Sequence, residues 1–537
     1  MADEGRKRKM QRKKGANLMK NLFKKIGALL VAAVMVLSMC TAVFADDTTK
    51  ATITVKTPDG DLVLGGSDNT TIWCVQVIEP DPTTETGWKF SNGVESAFTS
   101  SFSNNGNNVE AQTAIKMLAN KAAQDNGQTL KYADVAAATS AQFENALAAV
   151  NVTDANKVKK NPINVNKAGV YAIKVAQSGY TYKEMAAYVG FSDNMVVEGN
   201  VDVDAKRSSK VINKSVKEDP DHVVAIGDIK TYTVETEVPA FTPIDANKYF
   251  AVKDSIKGAE YVKAENSNDV AVNVKVDGKE VSGYSIVMGE GTFTIILKDN
   301  RDGQTTVDAK VNNESVINDS NSYYAKKLVV TYQAKITDVT ATNTAYGNVG
   351  SGEKSSTSVN LYTGTIKVIK QDTNSKKSLQ NAKFVVYRMN DGKKEYAKLT
   401  DDGKLAGWTE AVNKDDVKID IKNGNTKNIG IIVTDSKGEA TVSGLDLGDY
   451  YFEEVEAPTG YSLDASPEKV TVVLNNVTEA KATTDVISDP LTKFNTKLNS
   501  LPSTGGMGTY LFTIIGVVVM AGAAGAFFIS RRKGSEE

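Results

Sequence analysis

The chain has 537 residues, with 63 Lys and Arg against 65 Asp and Glu, one His and two Cys. Ten basic and two acidic side chains precede residue 46, and three and two follow Thr504, so residues 46–504 keep 50 basic against 61 acidic, a net charge of −11. That balance excludes a nucleic-acid binder, because phosphate binding needs the opposite sign, and the single histidine, His222 in a charged turn, cannot build a His-based metal centre.

Residues 1–25 hold all ten of the early basic side chains, and an uncharged run from Ile26 to Ala45 follows, ending Ala42-Val43-Phe44-Ala45. A basic region, an apolar stretch and small residues at its end predict a secretory signal peptide over 1–45, cut after Ala45. The basic region is long for such a signal, so Met10 and Met19 also qualify as starts. Leu37-Ser38-Met39-Cys40 departs from a lipoprotein box in its bulky Met39. Removal of the signal leaves Cys74 as the lone cysteine, which has no partner for an internal disulfide. Exported proteins often rely on disulfides, so a cross-link of another kind is expected here.

The stretch between the two ends has the length of about three domains. Most of it reads as strand. The runs 230–238 (KTYTVETEV), 293–297 (FTIIL), 328–336 (LVVTYQAKI), 365–369 (TIKVI) and 383–388 (KFVVYR) alternate or are β-branched, and Asp-Gly pairs at 277–278 and 302–303 supply turns. This pattern predicts tandem all-β sandwiches. Two Ala-rich segments, 111–123 and 133–150, carry apolar residues at helical spacing and predict helices inserted in the first domain. Trp73, Trp88 and Phe90 are expected in its core, with a contact surface as the alternative. A composition shift at 204–210 and the polar stretch 347–358 set expected domains at 46–205, 206–360 and 361–500. The 347–355 segment (GNVGSGEKS) has the outline of a phosphate loop, but Glu353 splits the Gly-Lys pair and repels phosphate, so it reads as a linker. No motif supports turnover of an external substrate, and no cofactor or metal is implied.

Near the C-terminus, Leu501-Pro502-Ser503-Thr504-Gly505-Gly506 precedes an uncharged, mostly apolar run over 507–530 and then a basic tail, 531–537, opening with Arg531-Arg532-Lys533. A helix of about 24 apolar residues spans a hydrocarbon core of ~30 Å, and the basic tail stays on the cytoplasmic side. Pro502 disfavours helix at Leu501 and keeps the motif extended. The arrangement resembles the LPxTG cell-wall sorting signal of Gram-positive surface proteins. The resemblance implies that a sortase thiol attacks the carbonyl between Thr504 and Gly505, and that the protein is secreted and joined to peptidoglycan.

Upstream, residues 450–461 (YYFEEVEAPTGY) resemble the E box of Gram-positive pilins, YxLxExxAPxGY. Tyr450, Glu454, Ala457, Pro458, Gly460 and Tyr461 match, and Phe452 replaces Leu. The segment 364–372 (GTIKVIKQD) resembles the first strand of such a domain and 493–496 (KFNT) its last. This resemblance, to the major subunit of sortase-assembled pili, implies a Cna B-type sandwich with an internal isopeptide bond between Lys370 and Asn495, promoted by Glu454. The residue types suit that chemistry: burial drives a lysine towards the neutral, nucleophilic amine and a carboxyl towards its protonated form, which can polarise the Asn amide, while the fold supplies orientation.

The middle domain resembles the second isopeptide-forming domain of backbone pilins, through 210–216 (KVINKSV), 253–258 (KDSIKG) and 341–345 (ATNTA). Carried over, the trio is Lys214, Asp254 and Asn343, with Asn348 as an alternative to Asn343, and Glu235 or Glu237 as alternatives to Asp254. The pilin acceptor lysine aligns with Lys206 in 203–207 (VDAKR), where the Tyr, Pro and Asn of the family motif are missing. Its polar neighbours predict an exposed side chain. Two functions are then expected: a shaft subunit linked from Thr504 to a lysine of the next copy, or a singly anchored adhesin or minor pilin with 46–205 as its ligand-binding head. The partners implied are a sortase, identical subunits and peptidoglycan, with minor pilins and host ligands in addition.

Overall fold

A computed structural model describes residues 51–498, apart from 104–105, 126, 191–199, 218–220, 242–247, 302–304, 319–321, 350–354, 411–428 and 475–485, together with residues 515–524. The chain is mostly β, and its strands bury alternate residues. Lys327–Ile336 and Gly364–Asp372 each turn every second side chain inwards, which is the period of a pleated strand with one face on a core.

Among the described residues, three large hydrophobic cores follow one another along the chain, with a small fourth cluster around Val385, Tyr387 and Tyr396 in the third domain. The first lies between a sheet ordered Trp88–Phe90, Thr71–Pro80, Gly169–Ala176, Met185–Val189 and a second built on Ala51–Thr57. Ala51–Thr57 runs parallel to Asn200–Asp204, so the strand that opens this region is bound to the one that closes it. Helices Glu95–Ser101, Ala111–Asp125 and Ser140–Ala149 cover it. The last starts with a capping box, Thr139 with Gln142, which satisfies two free backbone N–H groups and sets where the helix begins. Trp88 and Phe90 are in the core as expected, whereas Trp73 is only half-buried.

The second core fills a sandwich of two sheets. One is ordered Asn213–Val216, Ile229–Glu237, Lys327–Ile336, Val272–Val276, Lys279–Glu280; the other Ser285–Gly289, Thr292–Asp299, Tyr249–Lys257, Thr340–Val349, Ser355–Tyr362. The stretch read as a linker is here an antiparallel hairpin, Thr340–Val349 against Ser355–Tyr362, with Gly347 opposite Ser355. The described parts of this stretch thus belong to neighbouring strands of one sheet in the second sandwich.

In the third sandwich, Gly364–Asp372 lies between antiparallel Glu439–Leu445 and parallel Leu491–Asn495, facing a sheet ordered Leu405–Glu410, Lys393–Leu399, Lys383–Asn390, Gly448–Glu456, Glu468–Val472. The segment 221–227 splints the second sandwich to the third. Val223 and Ala225 are buried in the third core, Ile226 N–H donates to the Gly444 carbonyl, and Gly227 N–H donates to Ile336 on the second. His222 belongs to this splint: its carbonyl accepts from Tyr362 N–H and its Nδ1 meets the Asn360 carbonyl at 2.9 Å.

Residues 515–524 are helical with exposed apolar side chains, among them Val517, Val518 and Met520. Among the described residues no helix is long and apolar enough to cross a membrane. Ala45, the 501–506 motif and the rest of 507–537 lie outside the described residues.

Two buried lysine–acid–asparagine clusters as the candidate functional site

In the third sandwich, Lys370 stands on the strand between two neighbours. Its backbone N–H donates to the Gly438 carbonyl at 2.7 Å. Gly438 sits at φ +76, and a Cβ there would come within 2.5 Å of the Lys370 carbonyl, so glycine permits the close approach that seats this lysine. In the parallel pairing, Gln371 lies opposite Phe494 and Asp372 opposite Asn495, which puts Lys370 and Asn495 two residues apart on the same inward face. Glu454 reaches them from the opposite sheet, beside an irregularity where Lys383 pairs with Glu456 and Phe384 with Glu454. Such a bulge re-aims the side chain next to it.

Lys370 Nζ is 3.1 Å from Glu454 Oε2, and neither side chain is exposed. Asn495 Nδ2 donates to Glu454 Oε1 at 2.8 Å. Asp464 N–H donates to Glu454 Oε2 at 3.1 Å. The Phe384 ring lies 5.5 Å from the Lys370 amine. Burial pushes the Lys370 amine below the usual lysine range against the raising effect of Glu454, and Lys493 lowers it further. Asn495 Oδ1 is buried with no hydrogen-bond partner. Rotating the amide by half a turn would bring that oxygen to Glu454, where it pairs only with a protonated carboxyl. The E box also binds the strand that carries Asn495: Ser462 N–H donates to the Thr496 carbonyl and Leu498 N–H to the Gly460 carbonyl.

The second sandwich repeats the composition with a different geometry. Lys214 Nζ is 2.6 Å from Asp254 Oδ2, with neither side chain exposed. Ile256 pairs with Asn343 and Asp254 with Ala345, so Asp254 and Asn343 share one face as diagonal neighbours. Asn343 is fully buried, and its Oδ1 likewise has no partner. Glu235 is engaged with Lys327 at 2.6 Å and Glu237 lies 3.6 Å from Arg207, so of the three acids only Asp254 meets Lys214. The Asn348 backbone pairs with Ala251, farther along the strand.

Two tyrosines that sequence reasoning missed complete this cluster. Tyr332 OH accepts from both Lys214 Nζ and Asn343 Nδ2, the latter at 3.0 Å, and so stands between the amine and the amide. Tyr261 OH donates to Asp254 Oδ1 at 2.8 Å. Burial lowers the Lys214 amine and raises the Tyr332 phenol well above its ordinary value, as does the nearby Asp254. The alternation in 328–336 marks Tyr332 as inward-facing, but no local spacing ties it to Lys214, which is 118 positions away.

Lys206 differs from its expected exposure. It is 9% exposed. The stretch 205–209 threads the junction between the first and second sandwiches: Lys183 N–H donates to the Lys206 carbonyl, and Tyr324 OH accepts from Arg207 N–H at 2.7 Å and donates to the Ala205 carbonyl at 3.0 Å. Burial lowers the Lys206 amine, partly offset by Glu144 and Asp204. Cys74 is a free thiol, pushed up to about 12 by burial.

Residues 364–486 match a family described as a prealbumin-like fold domain, SpaA, and residues 495–536 match the LPXTG cell wall anchor motif. The trypsin-resistant surface T6 protein of Streptococcus pyogenes serotype M6 is 26% identical over 449 residues, which cover 69% of this chain and 80% of that protein. The solved T6 backbone pilin of serotype M6 S. pyogenes covers 80% of this chain and 81% of its own, with 16% identity and a TM-score of 0.42. The full-length major pilin SpaD of Corynebacterium diphtheriae covers 84% and 97%, with 14% identity and a TM-score of 0.44. The anchor and prealbumin-like matches on one chain mark a secreted, cell-wall-anchored surface protein of the Gram-positive kind, similar over most of its length to the T6 surface protein.

Proposed function

We propose that this protein is the shaft subunit of a covalent pilus, strengthened by two internal isopeptide bonds, Lys214 to Asn343 and Lys370 to Asn495. The observation that carries the reading is the pair of clusters, each with a lysine against a carboxyl and an asparagine amide beside them, buried in consecutive sandwiches. A buried ammonium–carboxylate pair is costly, and a proton transfer inside it yields a neutral amine and a neutral acid. The amine attacks the amide carbon, and the acid polarises the amide oxygen. The fold supplies the orientation that a bimolecular reaction lacks. Each bond forms once, so the chemistry is maturation of a structural protein.

Polymerisation uses the ends. The sortase acyl-enzyme carries the Thr504 carbonyl to a lysine of the next copy, and Lys206 is the acceptor in this reading. Its burial favours the nucleophilic amine, and the junction between the first two sandwiches must open for the enzyme to reach it. Minor pilins and host ligands dock on the finished shaft.

Blots of cell-wall extracts test the assembly. Wild-type cells should give a ladder of detergent-resistant multimers, and Lys206→Ala should reduce it to monomer while leaving both internal bonds intact. Thr504→Ala should abolish the ladder and wall attachment together. A wild-type monomer alone would support the singly anchored adhesin instead.

A further inference from the structure

The third core contains a second lysine. Lys493 has no exposed side-chain surface, and it lies directly opposite Lys370 on the neighbouring parallel strand, on the same inward face. Two ammonium groups so placed repel each other, and burial magnifies the repulsion. Their partners differ. Lys493 Nζ donates to the Ser466 carbonyl at 2.5 Å and lies 3.5 Å from Asp464 Oδ2 and 3.6 Å from Glu468 Oε1, two carboxylates that reach towards solvent. Among the described residues, the hydrogen-bond partners of the Lys370 amine are Glu454 and, at 3.4 Å, the Phe494 carbonyl. The two lysines also meet through the backbone, since Asp464, ion-paired to Lys493, donates its own N–H to the Glu454 oxygen that Lys370 contacts.

We propose that Lys493 is a positioning residue for the third-domain isopeptide reaction: it keeps the one tolerated positive charge on the Asp464 and Glu468 side, so that Lys370 yields its proton to Glu454, and it holds the Asp464 amide on that acid. The inference rests on reading Lys370, Glu454 and Asn495 as a cross-linking trio. The step balances. One proton passes from the Lys370 ammonium to Glu454, and the amine lone pair bonds to Asn495 Cγ. The Cγ–Nδ2 bond then breaks, and the nitrogen departs as ammonium with a second proton from Nζ and the one held by Glu454, which returns to carboxylate. The remaining charged groups around Lys370 are otherwise engaged. Asp372, next on its face, accepts from the Asn374 and Ser375 amides, and Glu439 on the antiparallel neighbour pairs with Lys367 at 3.2 Å.

The test uses the full chain recovered from cell walls, with the Lys370–Asn495 cross-linked peptide quantified by mass spectrometry. In wild type and Lys493→Arg the bond should be complete. In Lys493→Met it should be incomplete, and its completion in the purified protein should be slowed about tenfold at neutral pH, with the rate still climbing at higher pH, as for a Lys370 amine left more basic once the neighbouring positive charge is gone. Asp464→Asn/Glu468→Gln, which keeps the buried lysine but removes its carboxylates, should also slow the bond, and it gives an answer even if Lys493→Met fails to fold. Complete bonds in both variants would overturn the proposal. So would an Arg variant as defective as Met, or a Met variant whose slow rate ignores pH. A wild-type chain lacking the bond would instead sink the cross-linking reading itself.

Discussion

Lys370 and Glu454 meet across the third sandwich, 3.1 Å apart, with both side chains sealed from water and with Asn495 on the same carboxyl. The acid can therefore act on both reacting groups at once. Replacing Glu454 by Ala should abolish the Lys370–Asn495 bond while the Lys214–Asn343 bond still forms, because the two clusters lie in separate cores. The check is peptide mapping of the mature variant for each linked pair.

The middle cluster should depend on a phenol that the third lacks. Tyr332 OH bridges Lys214 and Asn343, and an amide rotation would let the same hydroxyl donate to the developing oxyanion. Tyr332→Phe should slow the Lys214–Asn343 bond by roughly 10²-fold, the typical cost of one lost oxyanion donor, and leave the Lys370–Asn495 bond untouched. Time courses of the two linked peptides after a pulse of synthesis measure both in one sample.

The sequence revealed the two clusters unequally. Glu454 was legible because the E box is contiguous, and Lys370 and Asn495 because each sits in a short strand motif. Tyr332, Tyr261 and the role of Lys493 were not, since they acquire meaning only when strands far apart in the chain share a sheet or face one another. The burial of Lys206 escaped for the same reason: its neighbours in sequence are polar, but the surfaces that cover it come from another part of the chain. Local composition also hid the strand pairing at both ends of 347–358, because Gly and Ser mark a reversal as readily as a boundary. The repeated strands and the two Ala-rich helical segments were visible from periodicity alone.

Stability should track the loops that the bonds close. Lys214 to Asn343 and Lys370 to Asn495 enclose about 130 and about 125 residues, and by the chain-entropy relation for disulfides each contributes up to about 5 kcal/mol. Asn343→Ala and Asn495→Ala should each lower the melting temperature and admit trypsin to the affected sandwich. Calorimetry and timed digestion, compared with wild type, give the two readouts.

Without its bond, the third domain should show a pH signature of the buried amine. In Asn495→Ala, Lys370 stays free, with its folded pKa below the unfolded value near 10.4. The unfolded chain then binds more protons between those two values, so stability rises with pH across that window and is level below it, where both states hold the proton. Denaturant unfolding of Asn495→Ala against Lys370→Met/Asn495→Ala at a series of pH values isolates the term, which should be present only in the variant that keeps the lysine.

Arg207 should govern the junction over Lys206. Its side chain is 5% exposed and pairs with Asp59 at 2.6 Å and Glu237 at 3.6 Å, with the guanidinium 3.9 Å from the Tyr180 ring. These partners come from both sides of the junction. Arg207→Ala should destabilise the junction by about 1 kcal/mol, since its close partner Asp59 is largely exposed and solvent screens the pair. It should also speed chemical labelling of Lys206, read by mass spectrometry.

The intact mass of the wall-released chain, followed by peptide mapping, tests the central claim most directly. Each isopeptide bond expels one ammonia, so the protein should weigh ~34 Da less than its sequence requires apart from its sortase-derived attachments, with the loss located to the Lys214–Asn343 and Lys370–Asn495 peptides. Full calculated mass, with all four residues recovered in unlinked peptides, would contradict the account.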